Sequence, residues 1–260
     1  MDLKTNIRTE MKPLVVISGG SSDTGRAVAV RMARSGWYPI VGYFSNQQAA
    51  LQTIALLKVS GLQGECLEID VRSAENINLL RERILSLSLP LKGLVNIASF
   101  CNPQGGYQDS LSTLSLSDMD NSIQTDLLGG LRITKSLLSQ LKAACGSVIH
   151  FGSASAMGND SDLIQYLPAK LAISGCVRAL ARSLAPEVRI NCIAPGALDT
   201  AWLKTWALRS DQFSAITKLC PTGRLGSPDD VSALVEFLLS NSASYITGQT
   251  IIIDGGLFCP

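Results

Sequence analysis

The sequence has a single histidine in 260 residues, and that scarcity narrows its chemistry. A Ser-His-Asp hydrolase needs a histidine free to shuttle a proton. Here the only candidate, His150, lies inside the apolar run SVIHFGS, where a packed or hydrogen-bonded role is expected. The seven cysteines are scattered, odd in number and without a C-x-x-C pair. This excludes a disulfide framework or a zinc cluster, so no metal site is expected, and it points to a reducing, cytoplasmic setting. Most of them are expected as small core fillers. Excess charge is lacking too, with 22 Lys and Arg against 21 Asp and Glu. No basic stripe interleaves with aromatics, so neither nucleic acid nor a membrane surface is an expected partner. No apolar run approaches the ~18 residues of a membrane span. The opening MDLKTNIRTEMK is polar, with no signal-peptide core in view.

What remains is 46% apolar and 17% charged, ample for a large core. Short β-rich runs (LVVIS, YPIVGYF, ECLEIDV, GLVNIAS, GSVIHFG, RINCIAP and TIIIDGG) alternate with helical stretches. Several runs are apolar nearly throughout, as strands covered on both faces are. GRAVAVRMARSG ends in a glycine suited to a helix C-terminus. SAENINLLRERILSL opens on Ser73 as a cap, and SDMDNSIQTDLLGGLRITKSLLSQL reads as one long helix whose internal glycines imply close packing. Repeated β-α alternation without a linker implies an α/β fold, a single doubly wound parallel sheet of about seven strands. The expected organisation is a polar tail over 1–11 and one domain over 12–260.

The stretch ISGGSSDTG joins the first strand to the first helix. Such a turn points backbone N–H groups outward at a helix N-terminus, a place for phosphates. Gly19 and Gly20 allow unusual backbone angles, and Gly25 lets the helix approach closely. Asp70 ends the third strand, where its carboxylate could bond an adenine amino group. NIAS, from Asn96 through Ser99 with Ala98 inside it, ends the fourth strand with small residues that leave room for a ribose. Tyr166 and Lys170 lie four apart, hence one turn apart on a helix face. A lysine ammonium beside a phenol favours phenolate and lowers the Tyr pKa from about 10. Such a Tyr can pass a proton to a carbonyl oxygen as hydride arrives at carbon, with Ser153 fixing that oxygen.

These motifs together resemble the short-chain dehydrogenases/reductases, from Lys12 to the C-terminus. The family's T-G-x-x-x-G-x-G reads SGGSSDTG here, its N-N-A-G reads NIAS, and its Ser and Y-x-x-x-K match Ser153, Tyr166 and Lys170. The resemblance implies a Rossmann-like fold and a nicotinamide cofactor. It places Gly19, Ser21, Ser22, Asp23, Thr24 and Gly25 at the cofactor loop, and Asp70 and Val71 near adenine. It places Asn96 and Ala98 near ribose, and Pro195, Gly196 and Thr200 near the nicotinamide. Asp23 replaces a family glycine; capping the following helix would turn its carboxylate away from the diphosphate. Asp126 fills the position of a family Asn whose backbone holds a relay water behind the lysine, and the water's role is expected to survive.

No acidic residue follows the second strand, where Phe44, Ser45 and Asn46 stand, so NADP(H) is expected over NAD(H). Residues 197–222 correspond to the family's substrate lid. Trp202, Leu203, Trp206, Phe213 and Leu219 make it apolar, which suits a hydrophobic substrate or plain packing. Ala154, Ser155, Met157, Trp202 and Trp206 are the candidate substrate contacts. The expected activity is reduction of a ketone or 3-oxoacyl-type carbonyl by a homotetramer, or failing that a dimer. LAPEVRIN and the altered turn also resemble the pterin or dihydrofolate-type reductases, which usually carry Asp at the Ser153 position and a basic residue in the turn; this chain has neither. Asp23 and Asp126 leave open a catalytically silent nucleotide-sensing or scaffold protein.

Overall fold

The computed structural model describes residues 11–100, 102, 108–158, 163–206 and 210–258, with backbone alone at 205–206 and 210–213. All of the tail expected over 1–11 except Met11 therefore lies outside the described residues. Seven parallel strands form one sheet in the order β3-β2-β1-β4-β5-β6-β7. They are β1 (Leu14–Ser18), β2 (Tyr38–Tyr43), β3 (Glu65–Glu68), β4 (Leu91–Asn96), β5 (Ser147–Phe151), β6 (Arg189–Pro195) and β7 (Thr250–Ile253). The chain builds outward from β1 to β3, then crosses back to set β4 against the other side of β1. That reversal opens a crevice at the carboxyl ends of β1 and β4, where α/β sheets bind ligands.

Alternation along the strands divides the core. Leu14, Val16, Ile40, Leu94 and Val148 point to one face, against α3 (Ala74–Leu87) and α8 (Leu167–Leu184). Val15, Ile17, Val41, Val95 and Ile149 point to the other, against α1 (Asp23–Arg34), α2 (Gln47–Val59) and α11 (Pro228–Leu239). Each such side chain, fully buried, contributes about 1.5–3 kcal/mol, which is why two-faced apolar strands read so clearly in the sequence. Ser73 caps α3 by accepting from the Asn76 N–H, and Ser227 with Asp230 forms a reciprocal cap on α11.

Three expectations are corrected. The third strand stops at Glu68, because Asp70 turns the chain by accepting from the Arg72 N–H at 2.9 Å. The long helix over 117–141 is four pieces: α4 (Leu116–Ser122), a π-helical segment (Ile123–Gly129), α5 (Gly130–Ser136) and α6 (Leu138–Ala143). Its glycines do serve close packing: a Cβ on Gly129 would meet Val71 Cγ2 at 2.4 Å, and one on Gly130 the His150 ring at 2.9 Å. Among the described cysteines only Cys192 and Cys220 are buried; Cys66 and Cys176 are half-buried and Cys145 is exposed. Cys101 and Cys259 lie outside the described residues. His150 is buried as expected, beside Asn96 and Thr134.

Candidate active site

The glycine turn leaves β1 with Gly19 at φ +69°, a conformation that favours glycine. A Cβ there would also meet Ala98 N at 2.7 Å, so the β1 and β4 ends touch backbone to backbone. Gly20 keeps φ negative and is needed for room, with Val41 Cγ1 2.9 Å from its missing Cβ. Gly25 brings α1 against Gly19 O and Gly20 Cα, each 2.5 Å from a built Cβ. Ser22 takes the cap: its Oγ accepts from Gly25 N at 3.1 Å and donates to Gly19 O at 2.8 Å. Asp23 therefore does not cap α1. It is the first residue of that helix, and its Oδ2 accepts from Ala201 N at 2.8 Å. Ala201 opens α9 (Ala201–Trp206), inside the segment expected as a lid. Ser21 and Thr24 complete a cradle whose remaining first-turn N–H groups suit a diphosphate.

Around this cradle stand the other expected cofactor residues. Asn96 is buried and ties β4 to its neighbours through Ser18, Gly130, Thr134 and His150. Val71 has its side chain in the core, and Asp70 is held by Arg72. Gly196 follows Pro195 where a Cβ would meet Asp254 Cβ at 2.6 Å. Thr200 Oγ1 accepts from Leu203 N at 3.3 Å and so helps start α9. Phe44, Ser45 and Asn46 are exposed at the end of β2, with Asn46 capping α2 through Ala49 N. Sequence reasoning missed Arg72. Its guanidinium lies 5.5 Å from the centre of the Phe44 ring. Strand pairing of β2 with β3 brings the two together.

Behind the cradle, β5 ends one residue before Gly152 and Ser153, and Tyr166 precedes α8. Ser153 and Lys170 lie near enough to the Tyr166 hydroxyl for both to favour its ionised form. Lys170 Nζ lies 5.1 Å from the Tyr166 ring centre, donates to Phe151 O at 3.2 Å and pairs with Asp126 Oδ2 at 3.0 Å. Asp126 also accepts from Ser99 Oγ at 2.5 Å and Phe100 N at 2.7 Å. The π-helical segment delivers the Asp126 carboxylate directly onto the lysine, a contact the spacing of these residues did not suggest.

The charge pattern corrects the expected tyrosine pKa as well. Burial raises the Tyr166 pKa, the Lys170 charge lowers it and the Asp126 charge raises it again, so the net direction is upward. Lys170 presents a neutralised pair rather than a lone cation. Burial opposes the Lys170 ammonium, but Asp126 and Tyr166 outweigh it and raise its pKa.

A narrow cleft, open to solvent, adjoins Tyr166. Phe100, Asn102, Asp118, Ser122, Leu163, Gln165, Tyr166 and Trp202 line it. The Trp202 ring stands 5.7 Å from the Tyr166 ring, centre to centre. Of the five candidate substrate contacts only Trp202 is in this lining. Ala154 is fully buried, and Ser155 and Met157 lie with it on the short helix α7 (Ala154–Met157), outside the lining. The side chains of Trp206 and Phe213 lie outside the described residues. Leu219, at the end of α10 (Ser210–Leu219), is exposed. Half of the lining is polar, which an apolar lid sequence did not suggest.

A glycine turn at the switch point, with Ser153, Tyr166 and Lys170 beyond it, is the arrangement expected of a nicotinamide-dependent oxidoreductase. A family model described as Enoyl-(Acyl carrier protein) reductase matches residues 20–258. The chain is 30% identical over 246 residues to a 3-oxoacyl-(acyl-carrier-protein) reductase of Aquifex aeolicus, covering 94% of this chain and 96% of that one. It is 31% identical to the enzyme of that name from Pseudomonas aeruginosa, covering 94% and 97%. The crystal structure of a 3-oxoacyl-(acyl-carrier-protein) reductase from Brucella melitensis superposes with a TM-score of 0.85 at 24% identity, covering 96% and 93%. The chain belongs to the short-chain dehydrogenase/reductase family. Membership makes it an oxidoreductase and implies a nicotinamide cofactor.

Proposed function

We propose that the protein is an NADPH-dependent carbonyl reductase acting on a ketone or 3-oxoacyl-type group. The observation that carries this reading is the grouping of Ser153, Tyr166 and Lys170 beyond the glycine turn, with Lys170 Nζ 5.1 Å from the Tyr166 ring centre and Ser153 near the Tyr166 hydroxyl. The cofactor, when bound, supplies the hydride. Ser153 donates to the substrate carbonyl oxygen and fixes it; Tyr166 gives that oxygen its proton as the carbon accepts the hydride, so C=O becomes CH–OH. Lys170, held by Asp126 and Phe151 O, orients the phenol and restores its proton. Gly19, Ser21, Ser22, Thr24 and Gly25 would hold the diphosphate, and Asn96, Ala98, Pro195, Gly196 and Thr200 the nicotinamide riboside. This cluster argues against a silent scaffold, and Ser153 in place of Asp argues against a pterin-type reductase. Tyr166→Phe should lower kcat by about 10²-fold or more and leave NADPH affinity nearly unchanged in calorimetric titration. Retention of most activity would remove Tyr166 as the proton donor.

Arg72 supports NADPH over NADH. Its guanidinium at the Phe44 ring offers a cation to a 2′-phosphate, and no acidic side chain follows β2. Arg72→Ala should reduce the NADPH-to-NADH ratio of kcat/KM by about tenfold, the size of a charge-assisted contact. Phe44→Asp should shift that ratio the same way. A wild-type preference for NADH would overturn this assignment.

A further inference from the structure

We infer that the substrate carries a protonated amine, seated between Asp118 and Gln165 while its carbonyl lies at Tyr166; this rests on the carbonyl-reductase reading. Asp118 sits in the first turn of α4 and is 6% exposed. Its carboxylate is held by neutral amides: Asn102 Nδ2 lies 3.2 Å from each oxygen and Gln108 Nε2 3.0 Å from Oδ2. Among the described residues no cationic side chain pairs with it. A buried charge ordinarily has an opposite charge beside it, and a carboxylate has acceptor capacity beyond these three contacts.

Gln165 gives an independent sign. It is 5% exposed, lines the same cleft, and its Oε1 is buried with no hydrogen-bond donor. Buried acceptors are nearly always paired, so an orphan on a cleft wall marks where a ligand donates. It directly precedes Tyr166, which ties this acceptor to the reacting end. Trp202, 5.7 Å from the Tyr166 ring, adds an aromatic wall of the kind that attracts ammonium groups. A carboxylate, an unpaired amide oxygen and an aromatic face on one small cleft select a cationic N–H donor rather than a purely apolar chain.

The test uses two ketones that differ only at the end remote from the carbonyl, one ending in –NH3⁺ and its isostere in –CH3. With NADPH, the full-length protein should turn over the ammonium ketone with the higher kcat/KM. Asp118→Asn should cut that preference by about tenfold or more, as loss of a buried charge partner does. Gln165→Leu should cut it by a smaller factor, about threefold. Loss of the Asn102 and Gln108 contacts in Asp118→Asn would, if it only weakened the fold, lower both substrates together and leave their ratio unchanged, so the ratio separates recognition from folding. A wild-type preference for the methyl ketone, or a ratio unmoved in both variants, overturns the inference. If other ketones are reduced in a Tyr166-dependent way but the ammonium ketone is not, the inference fails alone. If no ketone is reduced in that way, the carbonyl-reductase reading fails with it.

Discussion

Two residues show how a substitution redefines its neighbours. Asp126 puts a carboxylate into a direct ion pair with Lys170, and it recruits Ser99, itself at the position of a family glycine. The two departures meet in space at one hydrogen bond, which neither reveals alone. Asp126→Asn would leave Lys170 buried without its counter-charge, a loss of about 3–5 kcal/mol of stability. Removing the negative charge also favours phenolate at Tyr166. In the alcohol-oxidising direction, activity should therefore begin to rise at lower pH in Asp126→Asn than in wild type, and coincident pH profiles would show that the carboxylate does not reach the phenol. His150 makes a second prediction. Burial, aided by the Lys170 charge, holds its pKa at about 4, against 6.5 for the free side chain. Between those values the unfolded chain carries the extra proton, so stability is lost as pH falls from about 6.5 to about 4. The loss amounts to about 3 kcal/mol at 1.36 kcal/mol per unit. His150→Gln keeps an acceptor for Asn96 and should flatten that part of the curve of Tm against pH. Equal slopes in both proteins would assign the whole loss to carboxylates.

At the scale of elements, the Asp23 carboxylate joins the cofactor turn to α9 across 178 positions of sequence. The link fixes the start of a six-residue helix that also relies on Thr200. Lys204 on the same helix pairs with Asp199 at 2.9 Å, and its charge lies within reach of Asp23. Asp23→Ala should leave α1 capped by Ser22 and loosen α9 instead. The amide of Ala201 should exchange with solvent about fivefold faster, the effect of losing about 1 kcal/mol. Unchanged exchange at Ala201, with faster exchange along the first turn of α1, would return the capping role to Asp23. The contact also marks the limit of what was legible. Strands such as RINCIAP, buried on both faces, announced themselves by composition, and β6 runs over those same residues. Ser153, Tyr166 and Lys170 were legible because strand end and helix turn fix their spacing. Asp23 with Ala201, Arg72 with Phe44, and Asp118 with Gln165 were not, because each pair depends on register or loop path between distant segments. The π-helical turn at Ile123–Gly129 was equally hidden, since one extra residue in a turn leaves the apolar periodicity almost intact.

For the whole molecule, the seventh strand poses the remaining problem. β1 is fully buried, whereas β7 is only partly covered and Ile252 on it is 47% exposed. It is the last strand of the sheet, with one edge unpaired. An exposed apolar edge invites association unless something covers it. Phe237 on α11 and Tyr245, five residues before β7 begins, add exposed aromatic surface. Val231, Val235 and Leu238 on α11 face inward, so Phe237 is surplus to this chain's own core. A second copy related by a two-fold axis would set like patches together, as closed homo-oligomers do. The α4 and α8 helices carry further exposed leucines, Leu116 and Leu171, on another face. Two independent apolar faces on one chain suit a tetramer with two kinds of interface better than a dimer with one. Light scattering should therefore give four times the 27.6 kDa of one chain. Ile252→Asp with Phe237→Glu should halve that mass and leave dimers held by the other face. A wild-type mass of one chain would mean that the β7 edge is covered by nothing but solvent, and intact tetramers in the double variant would move the interface elsewhere.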